Sequence, residues 1–271
     1  MLPLKTEDHF QSYTELLMAV MRSAKSYFDD FTMNQLSTLP AGRSNLLLRA
    51  LSQADGDLLW DHLEPVALNR GDVCIESQRP LTHVYFLDGG LGSTVMPDEV
   101  YGSAEIGAQG YEGLIGVPVI LGAMQTPHKT FMQVGGPARR IAVAPLLRAI
   151  DESESLRKLL LRYVHVFQLQ VGQTAYANAR YNVEERLARW ILMSADRLGS
   201  PLSLTHDFLS LMLGVRRPSV TDATHILEGE RLIKASRGTI EIIDRAGLAK
   251  RSNGCYGVSE AEYERLIGPW R

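Results

Sequence analysis

Leu204-Thr-His-Asp-Phe-Leu-Ser-Leu-Met-Leu-Gly-Val-Arg-Arg-Pro-Ser-Val-Thr-Asp-Ala-Thr-His-Ile-Leu227 decides the reading of this chain. It has the pattern of two short helices joined by a tight turn. Leu209, Met212 and Leu213 place apolar side chains on one face of the first helix. Gly214 supplies a turn residue without a Cβ, and Val215 follows to pack beneath the corner. In the second helix Val220, Ala223 and Leu227 recur at i, i+3 and i+7 and turn one face inward. Arg216, Arg217, Ser219, Thr221 and Asp222 are left near the outer face of its first turns. Two helices at a steep angle, with polar and cationic groups opening the second, suit insertion into a DNA major groove.

The flanks agree. Leu232-Ile-Lys-Ala-Ser236 and Thr239-Ile-Glu-Ile-Ile243 surround Arg237-Gly238, a two-residue hairpin signal, so a wing is expected with Arg237 at its tip where phosphates pass. Upstream, Asn182-Val-Glu-Glu185 reads as a helix N-cap with Glu at the third position, followed by a helix to Leu198 and a domain boundary near 178–182. Before that runs a longer helix. Leu156, Leu160, Tyr163, Phe167, Val171 and Thr174 step by four, three, four, four and three, close to a heptad seam. Pairing with a second copy is the expected use. The competing use is one amphipathic helix laid on its own barrel.

From Leu63 to Val143 short strand-like segments alternate with Gly/Pro turns: Val66-Ala-Leu, Val73-Cys-Ile, His83-Val-Tyr-Phe-Leu, Thr130-Phe-Met-Gln-Val and Arg140-Ile-Ala-Val. Such spacing argues for a jelly-roll barrel, and the insert at 107–123 has room for a short helix. In residues 1–40, Ser12 and Glu15 have the spacing of a capping box, so a helix is expected. Leu17, Val20, Met21, Ala24, Phe28 and Phe31 share a helical face that either this chain's core or a second chain would cover.

At 271 residues the chain has room for about two domains. Its net charge of −3 makes bulk attraction to a polyanion an unsuitable explanation of binding, so any nucleic-acid surface must be local. Residues 200–251 carry eight Lys/Arg against six Asp/Glu, a local excess of +2. Cys74 and Cys255, the two cysteines, exclude a four-cysteine metal or iron–sulfur site within one chain and read as reduced thiols. Met1 to Asp8 lacks the basic start and apolar run of a signal peptide, and Leu114–Met124 is too short to span a bilayer. A cytoplasmic protein with no membrane partner is expected.

Barrel, long helix, helix-turn-helix and wing, in that order, resemble the cyclic-AMP receptor / fumarate–nitrate regulator (Crp–Fnr) family of bacterial transcription regulators. Leu81-Thr-His-Val-Tyr-Phe-Leu, the block Gly110-Tyr-Glu-Gly-Leu-Ile-Gly-Val-Pro, and Asp207–Val220 with its hairpin carry the likeness, which spans about 45–250. It implies an α+β chain with a double-stranded β-helix (jelly-roll) sensor barrel at 41–150, a dimerisation helix at 151–180 and a winged helix-turn-helix at 181–271; the helical extension expected at 1–40 from its own residue pattern has no counterpart in the likeness. The resemblance further implies a homodimer on an inverted-repeat DNA site that recruits or excludes RNA polymerase.

The resemblance also places residues. Arg217 falls at the family's base-reading position, where a guanidinium pairs with guanine O6 and N7, or else grips phosphate. Pro218 stands where several relatives carry a cytosine-accepting Glu. Proline cannot accept, so the preferred half-site should differ from theirs. Asp222 either accepts from a cytosine amino group or pairs with a neighbouring Arg. Thr205 and Ser219 are expected at phosphates, beside Arg216 and Thr221. In the barrel, Glu112, Gly113, Lys129 and Thr130 are the candidate ligand residues. Lys129 stands in place of the phosphate-gripping Arg of cyclic-nucleotide binders and lacks its planar fork. No cofactor is expected, and a cyclic nucleotide is disfavoured. The competing functions are a ligand-binding module whose winged helix contacts a protein, and a barrel enzyme. His62, His83 and His128 lack metal-ligand spacing, and no nucleophile elbow or phosphate loop occurs, so no enzyme is expected.

Overall fold

A computed structural model describes residues 45–98 and 103–270. The expected extension at 1–40 and its apolar face lie outside them. Eight strands form two facing antiparallel sheets. The first holds β1 (Glu64–Leu68), β8 (Gly136–Ala142), β3 (His83–Leu87) and β6 (Leu114–Ile115) in that spatial order. The second holds β2 (Val73–Ile75), β7 (Lys129–Val134), β4 (Leu91–Met96) and β5 (Ala104–Gln109). In β3, buried Val84 and Phe86 alternate with half-buried His83 and Tyr85, the period of a strand with one face on the core. Val84 faces Ile141 across the ladder, and both are fully buried with Leu114 and Met132. Each such side chain contributes about 1.5–3 kcal/mol of burial.

The insert at 107–123 is divided between β5, β6 and a short helix α3 (Val117–Ile120), and two further short helices, α1 (Leu46–Arg49) and α2 (Gln53–Asp57), precede the barrel. Strands β4 and β5 were not among the expected segments. They carry Ser93, Thr94, Glu105 and Gln109, all buried, so hydropathy does not reveal them.

After the barrel, α4 (Val143–Glu152) stops at Ser153, whose hydroxyl caps the long helix α5 (Glu154–Arg180) by accepting from the Leu156 N–H. Here one expectation is corrected. Leu156, Leu160 and Tyr163 are 0%, 1% and 3% exposed and belong to the barrel's own core cluster. Phe167 packs beneath β5, where a Cβ on Gly107 would come within 2.8 Å of its ring. Val171 and Thr174 are half-buried on the same side. The seam drawn for a partner is therefore filled by this chain's barrel. The outward stripe of α5 is Leu161, His165, Gln168, Gly172, Ala175 and Ala179, all exposed.

Tyr181 and Asn182 break the chain before α6 (Val183–Leu198). Asn182 accepts from the Glu185 N–H, and the Glu185 carboxylate accepts from the Asn182 N–H, each at 2.9 Å. The expected capping box is present. Helix α6, the pair α7 (His206–Leu213) and α8 (Arg217–Gly229), and a three-stranded sheet form a second core around Leu187, Ile191, Leu209, Val220, Leu227 and Ile240. Strand β9 is Leu202–Ser203, β10 is Ile233–Ser236 and β11 is Thr239–Ile242; α9 (Arg245–Arg251) completes the unit.

The chain then returns to the barrel, which corrects the expected 181–271 boundary. Helix α10 (Val258–Leu266) lies along α5, and Tyr263 and Trp270 join the barrel cluster rather than the winged helix. Barrel and winged helix are not separate bodies, because residues 42–271 form one unit.

One buried junction ties them. Arg197, from α6, and Glu112, from the barrel loop, have side chains 0% and 3% exposed. The Glu112 Oε1 accepts from Nε at 3.0 Å and Nη2 at 2.8 Å. The Trp270 ring covers the guanidinium at 5.2 Å, and Tyr263 donates to the Glu112 carbonyl at 2.8 Å. Removing one member of such a pair strands a charge in the interior. Arg197→Ala should therefore cost about 3–5 kcal/mol, whereas Glu112→Leu combined with Arg197→Met should recover most of the loss. Urea unfolding of the single and double variants measures both, and a single variant as stable as the parent would show that the pair contributes nothing.

Candidate DNA-binding face and sensor site

The turn between α7 and α8 has the chemistry anticipated for it. Gly214 sits in the left-handed region at φ +61° and ψ 38°. The Val215 N–H donates to the Ser210 carbonyl at 3.0 Å and the Gly214 N–H to Leu211 at 3.3 Å, which closes α7 with a Schellman motif. Arg186 of α6 donates to the Leu213 carbonyl and secures the corner from below. At the other end, Thr205 caps α7 by accepting from the Phe208 N–H at 3.3 Å. Helix α8 begins with Arg216 as its flanking residue and Pro218 in its first turn, where a missing N–H leaves no bond unmade.

With Val220, Ala223, Thr224 and Leu227 buried, α8 presents Arg217, Pro218, Asp222, His225 and Ile226 to solvent. Arg216 is exposed beside them, and Ser219 and Thr221 are half-buried. His225 and Ile226 were not anticipated, although their i+3 and i+4 spacing from Asp222 places them on the same face. Arg237 is exposed at the wing tip, next to Gly238 at φ +75°. Of the DNA-contact residues drawn from the sequence, Thr205, Arg216, Arg217, Pro218, Asp222 and Arg237 are exposed, and Ser219 and Thr221 are half-buried.

The first turns of α7 and α8 are joined. Arg217 Nε lies 2.8 Å from Asp207 Oδ1. The Thr221 hydroxyl donates to the Arg217 carbonyl at 3.2 Å and lies 3.0 Å from His206 Nδ1. Since that hydroxyl has one proton, Nδ1 must supply the other, which fixes the tautomer. Burial, with Arg217 and His225 nearby, lowers the His206 pKa and favours the neutral ring.

The four candidate ligand residues do not converge. Glu112 is committed to Arg197. Gly113 is pressed against α5, where an added Cβ would lie 2.1 Å from the Tyr163 hydroxyl oxygen. Lys129 is at the surface, 3.2 Å from Glu76. Thr130 is buried opposite Thr94, with their hydroxyls 2.9 Å apart. Among the described residues, no group of three His, Cys, Asp or Glu could hold a metal ion, and no helix is long and apolar enough to cross a membrane.

The outer face of β4, β5 and β7 instead docks the winged-helix half. Phe131 packs on its core, and the Arg70 guanidinium lies 5.8 Å from the Phe208 ring centre. Trp190 of α6 donates to Glu105 Oε1 at 2.9 Å. Ser93 Oγ stands 2.6 Å from Glu105 Oε2 and 2.7 Å from Gln133 Oε1. One hydroxyl proton cannot serve both. Turning the Gln133 amide resolves the cluster, because its Nε2, otherwise buried without a partner, then donates to Ser93 and leaves the hydroxyl proton for Glu105. Burial pushes the Glu105 carboxyl above its ordinary range, against the hydrogen bonds from Ser93 and Trp190 and the more distant Arg189 and Arg197.

Residues 185–251 match the Crp-like helix-turn-helix domain. Among solved structures the chain is similar to a transcriptional regulator of the CRP/FNR family from Thermus thermophilus, at 20% identity and a TM-score of 0.57, over 70% of this chain and 99% of that one. It is also similar to FixK2 from Bradyrhizobium japonicum, at 13% and 0.61, over 69% and 96%. The c-di-GMP responsive global regulator CLP of Xanthomonas campestris aligns at 13% and 0.58, over 70% and 99%. At these identities the likeness is one of fold. No curated protein matches the chain in sequence.

The raised Glu105 pKa sets the sign of a pH effect. Stability is unaffected below the ordinary carboxylate range and is lost as pH rises from there through the raised value, because the folded state then holds a buried anion. Glu105→Gln should flatten this dependence. Denaturant midpoints measured from about pH 4 to 8 test it, and a parent midpoint that rose across that range would contradict the assignment.

Proposed function

We propose that this chain of the Crp/Fnr type, whose residues 185–251 form a Crp-like helix-turn-helix domain, acts as a dimeric, sequence-specific DNA-binding transcription regulator. The observation that carries the reading is the solvent-facing set Arg216, Arg217, Pro218, Asp222 and His225 on a helix whose opposite face is buried. Helix α8 lies in the major groove in this reading, and Arg217 donates to a base edge. Thr205, Ser219 and Arg237 contact phosphate, and Thr221 holds the turn that carries Arg217. Recruitment or exclusion of RNA polymerase is the readout we infer.

The second copy pairs along the outward stripe of α5, from Leu161 through Gln168 and Gly172 to Ala179, since the opposite face is occupied by the barrel. Steps of three and four along that stripe suit two long helices packed side by side. The barrel takes no cyclic nucleotide at Glu112 and Gly113 in this reading. Arg197 occupies the carboxylate that would hold such a ligand, and Tyr163 fills the space over the glycine.

Selection from random duplexes should yield an inverted repeat with half-sites about 34 Å apart. Arg217→Ala should lose about 1–3 kcal/mol of discrimination at one base pair of each half-site. Affinity should fall as salt is raised, a dependence that a winged helix serving a protein partner would not show on DNA. Failure to enrich any repeat, with Arg217→Ala unchanged from the parent, would end the reading.

The oligomer is tested separately. Gly172→Glu, which places a charge where α5 meets its copy, should convert a dimer to a monomer in analytical ultracentrifugation while leaving the fold intact by circular dichroism. A variant that still sedimented as a dimer would remove the pairing from this stripe.

A further inference from the structure

Asp207 is not among the expected DNA contacts, and its charge is the wrong sign for one. It lies in the first turn of α7, its side chain 76% exposed, on the side from which Arg217 projects. A carboxylate beside a polyanion weakens attraction. An acid in a first helical turn stabilises that turn, which is the ordinary reason to find one there.

The contacts point to a further part. Asp207 Oδ1 engages Arg217 through Nε at 2.8 Å. Nε lies at the base of the guanidinium, so the two terminal Nη groups remain to donate in parallel to a second partner. The adjacent residue of α7 holds the adjacent turn of α8: His206 meets Thr221, whose hydroxyl in turn donates to the Arg217 carbonyl. Residues 206 and 207 therefore restrain both the backbone and the side chain of the residue that opens the recognition helix. An unrestrained Arg would lose much of its rotamer freedom on meeting a base, and the contact with Asp207 favours one orientation of a side chain that is 63% exposed.

We propose that Asp207 is a positioning residue that sets the base discrimination of Arg217, by holding its guanidinium at Nε so that the terminal edge meets the groove in one orientation. This rests on the reading of α8 as the base-reading helix. It has a consequence opposite to that of an ordinary contact. Removing Asp207 removes a negative charge near the phosphates, so binding to arbitrary DNA should hold or strengthen while discrimination falls.

The full chain and its selected site serve for the test. Affinities are measured for that site, for its three single-base variants at the pair read by Arg217, and for a random duplex, over a range of salt. Asp207→Ala is expected to bind the random duplex at least as tightly as the parent. Its discrimination at the Arg217-dependent pair should fall on the order of tenfold, and discrimination at other pairs should be unchanged. Asp207→Asn, whose amide oxygen can still accept from Nε, should retain most of it. In an Arg217→Ala background Asp207→Ala should have no further effect at that pair.

Parental discrimination in Asp207→Ala would overturn the proposal. So would a uniform loss at every base pair accompanied by a lower melting temperature, the signature of a helix merely deprived of its first-turn acid. If the parent selects no site, or Arg217→Ala leaves every base preference intact, the base-reading helix itself fails and the positioning role fails with it.

Discussion

The Glu112–Arg197 ion pair is the interaction on which the arrangement of the two halves depends. It joins a barrel loop to the helix that opens the DNA-binding unit, in a place with almost no solvent. Two charges in such a place tolerate separation only if water or another partner replaces each of them. The halves are therefore either held in register or moved as a discrete step, not slid past one another. Glu105 with Trp190, and Phe131 against the second core, extend the same boundary along β4, β5 and β7. The C-terminal segment completes it. Trp270 stacks over Arg197, while the Tyr111 hydroxyl donates to the Trp270 carbonyl at 3.1 Å. Barrel loop, linking helix and chain end thus meet at one guanidinium.

This junction explains why two of the expected ligand residues of a sensor-like barrel, Glu112 and Gly113, are otherwise engaged. A carboxylate that already accepts two N–H groups from an arginine is not available to orient a small molecule. A glycine whose Cβ position is filled by a tyrosine leaves no concavity above it. The acidic step in the Gly-rich loop has the same residue types that resemblance would assign to ligand binding, yet its partners come from this chain.

The winged helix-turn-helix was legible because its turns depend on local chemistry. Gly214 is needed for a left-handed residue, Asn182 and Glu185 cap each other across three positions, and Arg237-Gly238 permits a two-residue turn. Each of these is fixed within a few residues of sequence. The parts that were not legible depend on distant partners. Strands β4 and β5 bury Ser93 and Glu105 toward the second core and Thr94 and Gln109 against each other on the opposite face, so they lack the alternation that marks a strand with one wet face. Helix α5 has two usable stripes, and a three–four spacing is the same whether a barrel or a copy of the helix covers it. Leu156, Leu160 and Tyr163 form the more apolar stripe, and that was taken by the nearer partner. Tyr263 and Trp270 follow the winged helix in sequence but pack on the barrel, a return that no local pattern encodes.

The modest charge of the DNA-binding half constrains how it can discriminate. An excess of +2 over residues 200–251 gives little sequence-independent attraction, and two of the acids it already counts, Asp207 and Asp222, lie at the face proposed to meet the groove. Non-specific binding arises almost entirely from phosphate neutralisation, so these acids lower it at every site alike. Specific binding loses the same amount but gains whatever the oriented groups on α8 supply. Since selection among many competing sites depends on the ratio of the two, a carboxylate that costs affinity everywhere and improves orientation at one base raises that ratio. An acid beside Arg217 is therefore consistent with a reader that relies on a few directed donors, and inconsistent with one that relies on a cationic surface.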